Sequence, residues 1–207
     1  MIALPCFATA QQDDVIIPKF TIPRSIIKLS PLQFFSNTLD LGVESFNKDF
    51  TRSFDGSIGF RSGADVFDKG RGISLELGYR KYVSGMKIHV RKERQFYQGI
   101  YYNVAVKVAY FQGEHYDYYY YDPNTGSSYN QYMEETTTSI APSFTLGLQK
   151  TLWQIIFLDI FVGGGIRFSQ SDRTFNQYDV WYNDDTIFSP GYDGIYPKVG
   201  VKIGVGL

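Results

Sequence analysis

The chain has 207 residues and a formal net charge of −1, and it contains 17 Tyr, 17 Phe and 20 Gly. Its length fits a single domain, and its near-neutral charge gives no reason to expect nucleic acid as a partner. There is no apolar run of about 18 residues, so the sequence offers no membrane-spanning helix. A composition rich in aromatic residues and glycine favours strands and turns, and we expect an all-β fold.

The first residues have the form of a processed leader. Ala8-Thr9-Ala10 matches the A-x-A pattern that signal peptidase cuts after, and the polar stretch that begins at Gln11 follows it. We interpret residues 1–10 as the remnant of a secretory signal peptide that lacks its basic start, and residues 11–24 as a periplasmic segment; an ordinary N-terminus is the alternative. Cleavage would remove Cys6, so we expect no disulfide, thiol nucleophile or zinc site in the mature chain.

Beyond residue 24, apolar and polar residues alternate in eight segments. The last has apolar residues at every odd position from Val199 to Leu207 and Lys or Gly at the even positions. Successive side chains of a strand point to opposite faces, so each segment has one apolar and one polar face. The other seven apolar series begin at Ile27, Leu39, Phe54, Ile73, Ile100, Ile140 and Leu158. Residues 25–207 are therefore predicted to form one eight-stranded, antiparallel, up-and-down transmembrane β-barrel.

Side-chain volume decides which face points inward, since a soluble barrel would show the same alternation with its apolar side inside. Eight strands supply on the order of 35 bulky apolar side chains, and an eight-stranded barrel has an interior barely wide enough for side chains. The opposite face carries glycines, among them Gly42, Gly78, Gly147 and Gly204. We expect the small and polar residues in the lumen and the large apolar ones against lipid.

The connections follow the same scheme. Long polar links at 62–71, 112–138 and 169–194 are predicted outside the cell, and short turns at 47–52 and 150–154 on the periplasmic side. Residues 84–98 do not fit this scheme of long outer links and short periplasmic turns. The scheme places a short turn here, whereas the segment is long and basic. We favour the interpretation that it prolongs strands four and five below the membrane; the alternative is that the strand count is wrong.

The residues resemble the small outer-membrane β-barrel proteins of Gram-negative bacteria, the group of OmpX, OmpW and the membrane domain of OmpA. The resemblance is one of architecture, with the stretches Lys28-Leu29-Ser30-Pro31-Leu32, Gly78-Tyr79-Arg80 and Gly99-Ile100-Tyr101 as its more specific features. It implies outer-membrane lipids, lipopolysaccharide and the barrel-assembly machinery as partners. The chain departs from the group at Leu207, where such barrels commonly finish on Phe.

The predicted lumen contains nearly balanced charges. They are expected to form a network of ion pairs that fills the barrel, because charges in a confined space must be paired or hydrated. The predicted network consists of Lys28, Asp40, Glu44, Asp55, Arg61, Glu76, Arg80, Lys107, Asp159, Arg167, Lys198 and Lys202. Asp40, Glu44 or Asp159 are expected as partners of Lys198 and Lys202. The alternative is a narrow channel or carrier for a small or apolar solute.

A lipid-modifying enzyme is the least favoured alternative. The chain has two histidines, His89 and His115, and His115 with Ser139 or Ser143 would be the candidate base and nucleophile. No spacing motif supports that arrangement. We expect no catalytic residue, no cofactor and no metal site.

Aromatic residues in the predicted outer links are candidates for binding a surface ligand, because loops on a rigid scaffold often bind. The candidates are Tyr118, Tyr119, Tyr120, Tyr121, Trp181 and Tyr182. Tyr and Trp also form girdles at membrane interfaces, so the alternative role of Tyr110 and Tyr116 is to anchor the barrel at the membrane interface. The sequence thus predicts an outer-membrane protein with a structural or surface-interaction role.

Overall fold

The computed structural model describes residues 23–64, 68–83, 85–91, 94–122, 126–153, 155–175 and 191–207. These residues form nine strands and one 3₁₀ helix. The strands are β1 (Ser25–Leu29), β2 (Thr38–Phe46), β3 (Arg52–Ala64), β4 (Asp68–Tyr82), β5 (Lys87–Arg91), β6 (Arg94–Asp122), β7 (Ser127–Trp153), β8 (Ile156–Phe175) and β9 (Gly194–Gly206), and the helix is Pro31–Ser36. The predicted signal remnant and most of the segment 11–24 lie outside the described residues.

Eight strands close into an antiparallel barrel. Each pairs with its neighbours in chain order, except that β4 skips β5 and pairs with β6. β1 pairs with β9, from Ile26 opposite Gly206 to Leu29 opposite Ile203, and this pairing closes the ring. The predicted eight-stranded antiparallel barrel is therefore confirmed. We name the end at which β1 begins and β9 ends the terminal end, and the opposite end the loop end.

The fifth strand lies outside the ring, in a hairpin at the terminal end. β5 pairs with the start of β6, from Lys87 opposite Gln98 to Arg91 opposite Arg94. It lies on the side of β6 that β4 occupies further along the strand. The basic segment 84–98 thus prolongs two strands beyond the ring, which is the interpretation the sequence favoured. Tyr97, at the base of the hairpin, is fully buried and anchors it to the barrel.

The predicted long links are in large part strand, which corrects the sequence interpretation. All the described residues of 62–71 are in strands, and β6 and β7 pair as far as Asp122 opposite Ser127. Strand also continues into the link 169–194 as far as Phe175. The prediction of long links was wrong because it used the alternation of apolar residues to find the strand ends. The Tyr- and Thr-rich segments lack that alternation, but their backbones continue to pair.

The first strand is short. β1 ends at Leu29, and Pro31 begins the 3₁₀ helix instead of continuing the strand. Proline has no N–H to donate to a ladder, and its fixed φ suits the first position of a helix. As a consequence, β9 pairs with β1 along only the four residues 203–206.

Apolar and polar side chains lie on the two faces of the barrel wall that the volume argument predicts. Large apolar side chains at alternate positions are exposed on the outer surface, as with Leu75 and Leu77 on β4 and Val104 and Val106 on β6. The residues between them face the lumen and are small or polar. Gly42, Gly59, Gly200 and Gly204 are buried there, together with the charged residues described next.

Candidate functional site

The lumen has three levels along the barrel axis. An aromatic plug fills the terminal end and consists of Ile26, Phe46, Tyr82, Met86, Tyr97, Tyr101 and Phe157. Next to it lies a charged cluster made of Lys28, Glu44, Asp55, Arg80, Asp159 and Lys202. The outer chamber, toward the loop end, is bordered by Asp40, Arg61, Glu76, Lys107, Arg167 and Lys198.

Arg80 is the centre of the charged cluster. Its side chain is 2% exposed, and its two terminal nitrogens lie 2.7 Å from Asp159 Oδ2 and 2.8 Å from Asp55 Oδ2. Glu44 Oε2 lies 3.5 Å from Arg80 Nη1. The planar guanidinium can serve several carboxylates at once, since its donors point in different directions in one plane. One side chain therefore joins β2, β3, β4 and β8 across the lumen.

Two lysines complete the cluster. Lys28 Nζ lies 2.5 Å from Glu44 Oε2 and 2.7 Å from Asp159 Oδ2, and Lys202 Nζ lies 3.2 Å from Asp55 Oδ2. The cluster thus contains three cations and three carboxylates, each contributed by a different strand. Buried charges of this kind are costly unless paired, so the balance of the two signs is what makes the arrangement tolerable.

Neutral side chains bring the remaining two strands into the cluster. Tyr101 on β6 donates a hydrogen bond of 2.5 Å to Asp159 Oδ1, and Gln149 Oε1 on β7 accepts one of 3.1 Å from Lys28 Nζ. The Tyr82 hydroxyl lies 2.8 Å from Glu44 Oε1 and 2.9 Å from Gln149 Oε1. These residues were not among the predicted lumen charges. Tyr101 and Gln149 nevertheless stand at the alternate positions of their strands that face the lumen.

The aromatic plug closes the lumen beneath the cluster. Tyr82 and Tyr101 pack with ring centroids 5.5 Å apart, and Phe46 packs on Tyr82 at 5.7 Å. The Arg80 guanidinium lies over the Tyr101 ring, 4.5 Å from its centroid. Gly147 faces Tyr101 so closely that any side chain at that position would collide with the ring. Plug and cluster together fill the terminal half of the described barrel with side chains that are almost fully buried.

The outer chamber contains a further ion pair and two contacts between an arginine and an aromatic ring. Lys198 Nζ lies 2.8 Å from Glu76 Oε2 and 3.1 Å from Ser143 Oγ. Arg167 lies over the Tyr196 ring, 5.1 Å from its centroid, and Arg61 over Phe111 at 5.0 Å. Ser30 Oγ donates to Asp40 Oδ2, while Asp40 Oδ1 is buried without a partner. No ion pair or hydrogen bond among the described residues involves Lys107.

The structure brings six of the twelve predicted lumen charges together in the cluster and joins two more, Glu76 and Lys198, in a separate pair. The expected partners of the β9 lysines were wrong. Lys198 pairs with Glu76 and Lys202 with Asp55, instead of Asp40, Glu44 or Asp159. Alternation gives the face of each residue, but contacts across the lumen depend on how far the strands are staggered around the ring.

The predicted binding tyrosines are not in a loop. Tyr118, Tyr119, Tyr120 and Tyr121 belong to β6, and Tyr120 pairs with Tyr129 of β7 beyond an irregularity that starts at Asp117. They therefore lie on a hairpin that continues past the ring. Trp181 and Tyr182 lie outside the described residues.

The strand register places the candidate catalytic residues of a lipid-modifying enzyme far apart. His115 is paired with Met133, whereas Ser139 is opposite Ala109 and Ser143 is opposite Ala105. At roughly 3.4 Å per residue, these serines lie about 20 and 34 Å along the strand from the histidine. No group of three or more His, Cys, Asp or Glu side chains in the described parts of the chain could hold a metal ion.

No protein-family model, curated protein or solved structure matches the chain. The described residues contain no helix with the length and apolar character needed to cross a bilayer. The functional inference therefore depends on the surface and lumen of the barrel itself.

Removing the central cation tests the charged cluster. Arg80→Met should lower the free energy of unfolding by about 3–5 kcal/mol, because it leaves three buried carboxylates with two lysines. Urea titration of the protein refolded in detergent micelles, followed by tryptophan fluorescence, measures this change. The matched control is Arg71→Met on the same strand, an exposed residue bonded to Gln112, which should change stability by less than about 0.5 kcal/mol. Equal effects of the two substitutions would contradict the central role of Arg80.

Proposed function

We propose that this protein is an integral outer-membrane β-barrel of a Gram-negative bacterium, with a structural or surface-interaction role and a lumen closed by its ion pairs. The apolar outer surface carries this proposal. Among the described residues, 33 large hydrophobic side chains are exposed and only ten hydrophobic residues are buried. Soluble monomers rarely expose contiguous apolar patches beyond a few hundred Å². A surface of this kind needs a lipid environment.

The height of the apolar surface fits a bilayer. On β6 it runs from Ile100 to Tyr110 at alternate positions, and every residue of this series except the half-buried Tyr102 is exposed. That span is about 34 Å along the strand, or about 26 Å across the membrane at a typical tilt of about 40°. The apolar band of outer-membrane barrels is about 25 Å tall. Outer-membrane lipids and lipopolysaccharide are thus the proposed partners of the outer surface, and the barrel-assembly machinery the partner during insertion.

The role in surface interaction is proposed for the hairpin at the loop end. β6 pairs with β4 as far as His115, and β7 pairs with β8 as far as Met133. Beyond these points the described hairpin pairs only with itself, and it projects by about 20 Å. Residues 112–135 include seven tyrosines and five acidic residues and contain no Lys or Arg. This composition favours a partner that carries positive charge. We propose no enzymatic activity.

A charge on the apolar band tests membrane insertion. Leu75→Arg, in the middle of the band on β4, should lower stability in bilayers by about 2–4 kcal/mol, because the charge must enter the hydrocarbon region. Heat-modifiable migration after refolding into vesicles at increasing urea measures the loss. Ser62→Arg, exposed on β3 near the loop end, is the matched control and should have little effect. A wild-type chain that stays soluble without detergent would contradict the proposal.

Conductance distinguishes a closed barrel from the alternative of a narrow channel or carrier. In planar bilayers the wild-type protein should give no steady conductance of porin size, because the plug and the charged cluster fill the terminal half of the lumen. Solute uptake into proteoliposomes tests the carrier. Steady conductance, or uptake above that of empty liposomes, would favour the alternative.

Deleting the projecting hairpin tests the surface role. Replacement of residues 117–131 by Asn-Gly, a sequence suited to a tight hairpin turn, should abolish binding to envelope components or host surfaces and leave the barrel folded. Binding of protein-loaded vesicles is the measurement, and retained heat-modifiable migration is the control for folding. Unchanged binding after the deletion would assign the interaction to another part of the molecule.

A further inference from the structure

Four basic residues lie on the outer surface of the barrel at the terminal end. They are Arg52 at the start of β3, Lys81 near the end of β4, Lys87 at the start of β5 and Lys150 near the end of β7. All four side chains are exposed. We name these four residues the basic belt.

Alternation and register place the first two belt residues on the apolar face of the wall. Lys81 stands at the alternate positions of β4 that also hold the exposed Leu77. Arg52 is paired with Lys81 in the ladder between β3 and β4, so the two residues share a face. The exposed Val83 follows Lys81 on the same face. Lys81 is therefore set between apolar residues at the lower border of the apolar band.

The other two belt residues share that face on the far side of β6. Lys87 and Lys150 are both paired with Gln98, one from β5 and the other from β7. Gln98 precedes the exposed Ile100 by two residues, so all three lie on the outer face. Leu152, two residues beyond Lys150, is again exposed and apolar. The belt thus borders the apolar band on both sides of β6.

The belt has no counter-charge among the described residues. Arg52 and Lys81 are like charges at directly opposite ladder positions, an arrangement that costs stability. No salt bridge between described residues involves any belt residue. Among the described side chains at the terminal end, the one exposed acidic group is Asp49, in the turn between β2 and β3. The hairpin below the ring adds Arg91 opposite Arg94. An anion from outside the chain would remove this repulsion.

Aromatic residues beside the belt place it at the depth of lipid headgroups. Tyr79 precedes Lys81 by two residues, and Tyr102 is paired with Lys81 across the ladder between β4 and β6. Both tyrosines are half-buried on the outer face, where Tyr79 packs on Phe54 with ring centroids 5.5 Å apart. Tyrosine girdles lie at the border between hydrocarbon and headgroups. Long basic side chains at that border lie along apolar surface and hold their charge among the headgroups.

We propose that the basic belt binds the phosphate groups of anionic phospholipids in the leaflet at the terminal end of the barrel. The lipid chains then lie against the apolar band, and the headgroups supply the negative charge that the wall lacks at this end. This inference rests on the proposed membrane location and names the lipid class that the outer surface selects. Charge complementarity and continuity with the apolar band argue for lipid as the occupant.

Lipid selectivity tests the belt. The protein is refolded into phosphatidylcholine vesicles that contain a trace of spin-labelled phosphatidylglycerol or of spin-labelled phosphatidylcholine with the same chains. Electron spin resonance gives the fraction of each label that the protein holds. One Lys or Arg near an anionic lipid surface contributes a factor of about five, so averaged over the barrel perimeter we expect about a twofold preference for phosphatidylglycerol. Equal association of the two lipids would overturn the belt.

Salt distinguishes charge from chain packing as the source of the preference. At about 1 M salt the Debye length is about 3 Å, so the preference should largely disappear. A preference that is independent of salt would contradict the role of the basic residues.

Glutamine substitutions locate the effect. The variant with all four belt residues changed to Gln should lose the preference, and Lys81→Gln alone should remove about a quarter of it. Arg71→Gln is the matched control, because Arg71 is exposed on the same face of β4 near the loop end and stands opposite Ser62 and Gln112, without a second cation. It should leave the preference nearly unchanged. Equal losses for Lys81→Gln and Arg71→Gln would show an effect of net charge alone and overturn the belt.

Soluble poly-glutamate tests an acidic macromolecule as the alternative occupant. An excess of it should leave the lipid preference unchanged, because the belt faces the bilayer surface. Poly-glutamate binding that depends on the belt, together with equal association of the two lipids, would identify a water-soluble acidic partner and overturn the lipid.

Heat-modifiable migration of every variant separates this inference from the proposed function. The belt residues have no ion pair to lose among the described residues, so the Gln variants should fold as the wild type does. A wild-type protein without this migration would contradict the membrane barrel, whereas normal migration without lipid preference would contradict the belt alone.

Discussion

The charge balance of a narrow lumen is the constraint on which this structure depends. An eight-stranded barrel leaves little room inside for more than interlocking side chains, and the charged residues of the terminal half are almost fully buried. Every charge placed there needs a partner of opposite sign, and Arg80, Lys28 and Lys202 find theirs on Glu44, Asp55 and Asp159. Since these six residues come from six strands, their pairing also fixes the relative positions of the strands.

The uncharged lumen residues follow from the same restriction. Tyrosine hydroxyls and the Gln149 amide oxygen add hydrogen bonds to the ion pairs, and the tyrosine rings fill the space toward the terminal end. Large rings in a narrow lumen require small neighbours. Gly147 faces Tyr101 and Gly200 faces Phe161, and in each case an added side chain would collide with the ring. Glycine in these strands is therefore a packing requirement, and its lower strand propensity is outweighed by the ring beside it.

The sequence could predict the faces of the wall but not the contacts across it. Period-two alternation and side-chain volume place Leu75 outside and Glu76 inside, because both follow from one strand alone. The partner of Lys202 depends on the stagger of β3 against β9, which no local pattern records. Strand length was missed for a related reason. The apolar alternation of β6 ends near Tyr110, while its backbone pairing continues to Asp122, since hydrogen bonds between strands do not require an apolar face. The early end of β1 has a signal in Pro31, which has no N–H to donate to a strand ladder.

The lumen is asymmetric, and that asymmetry bears on where function lies. The terminal half has a charge-balanced cluster above a packed plug. The loop half contains the ion pair of Glu76 and Lys198, Asp40 with one buried oxygen unpartnered, and a wall in which a helix replaces a strand. The network of ion pairs thus lies near the chain termini, and the part of the wall without a complete strand ladder lies toward the loop end. A barrel built only to be stable would pair β9 with β1 along its full length, because each unpaired backbone group in a lipid-facing wall costs free energy.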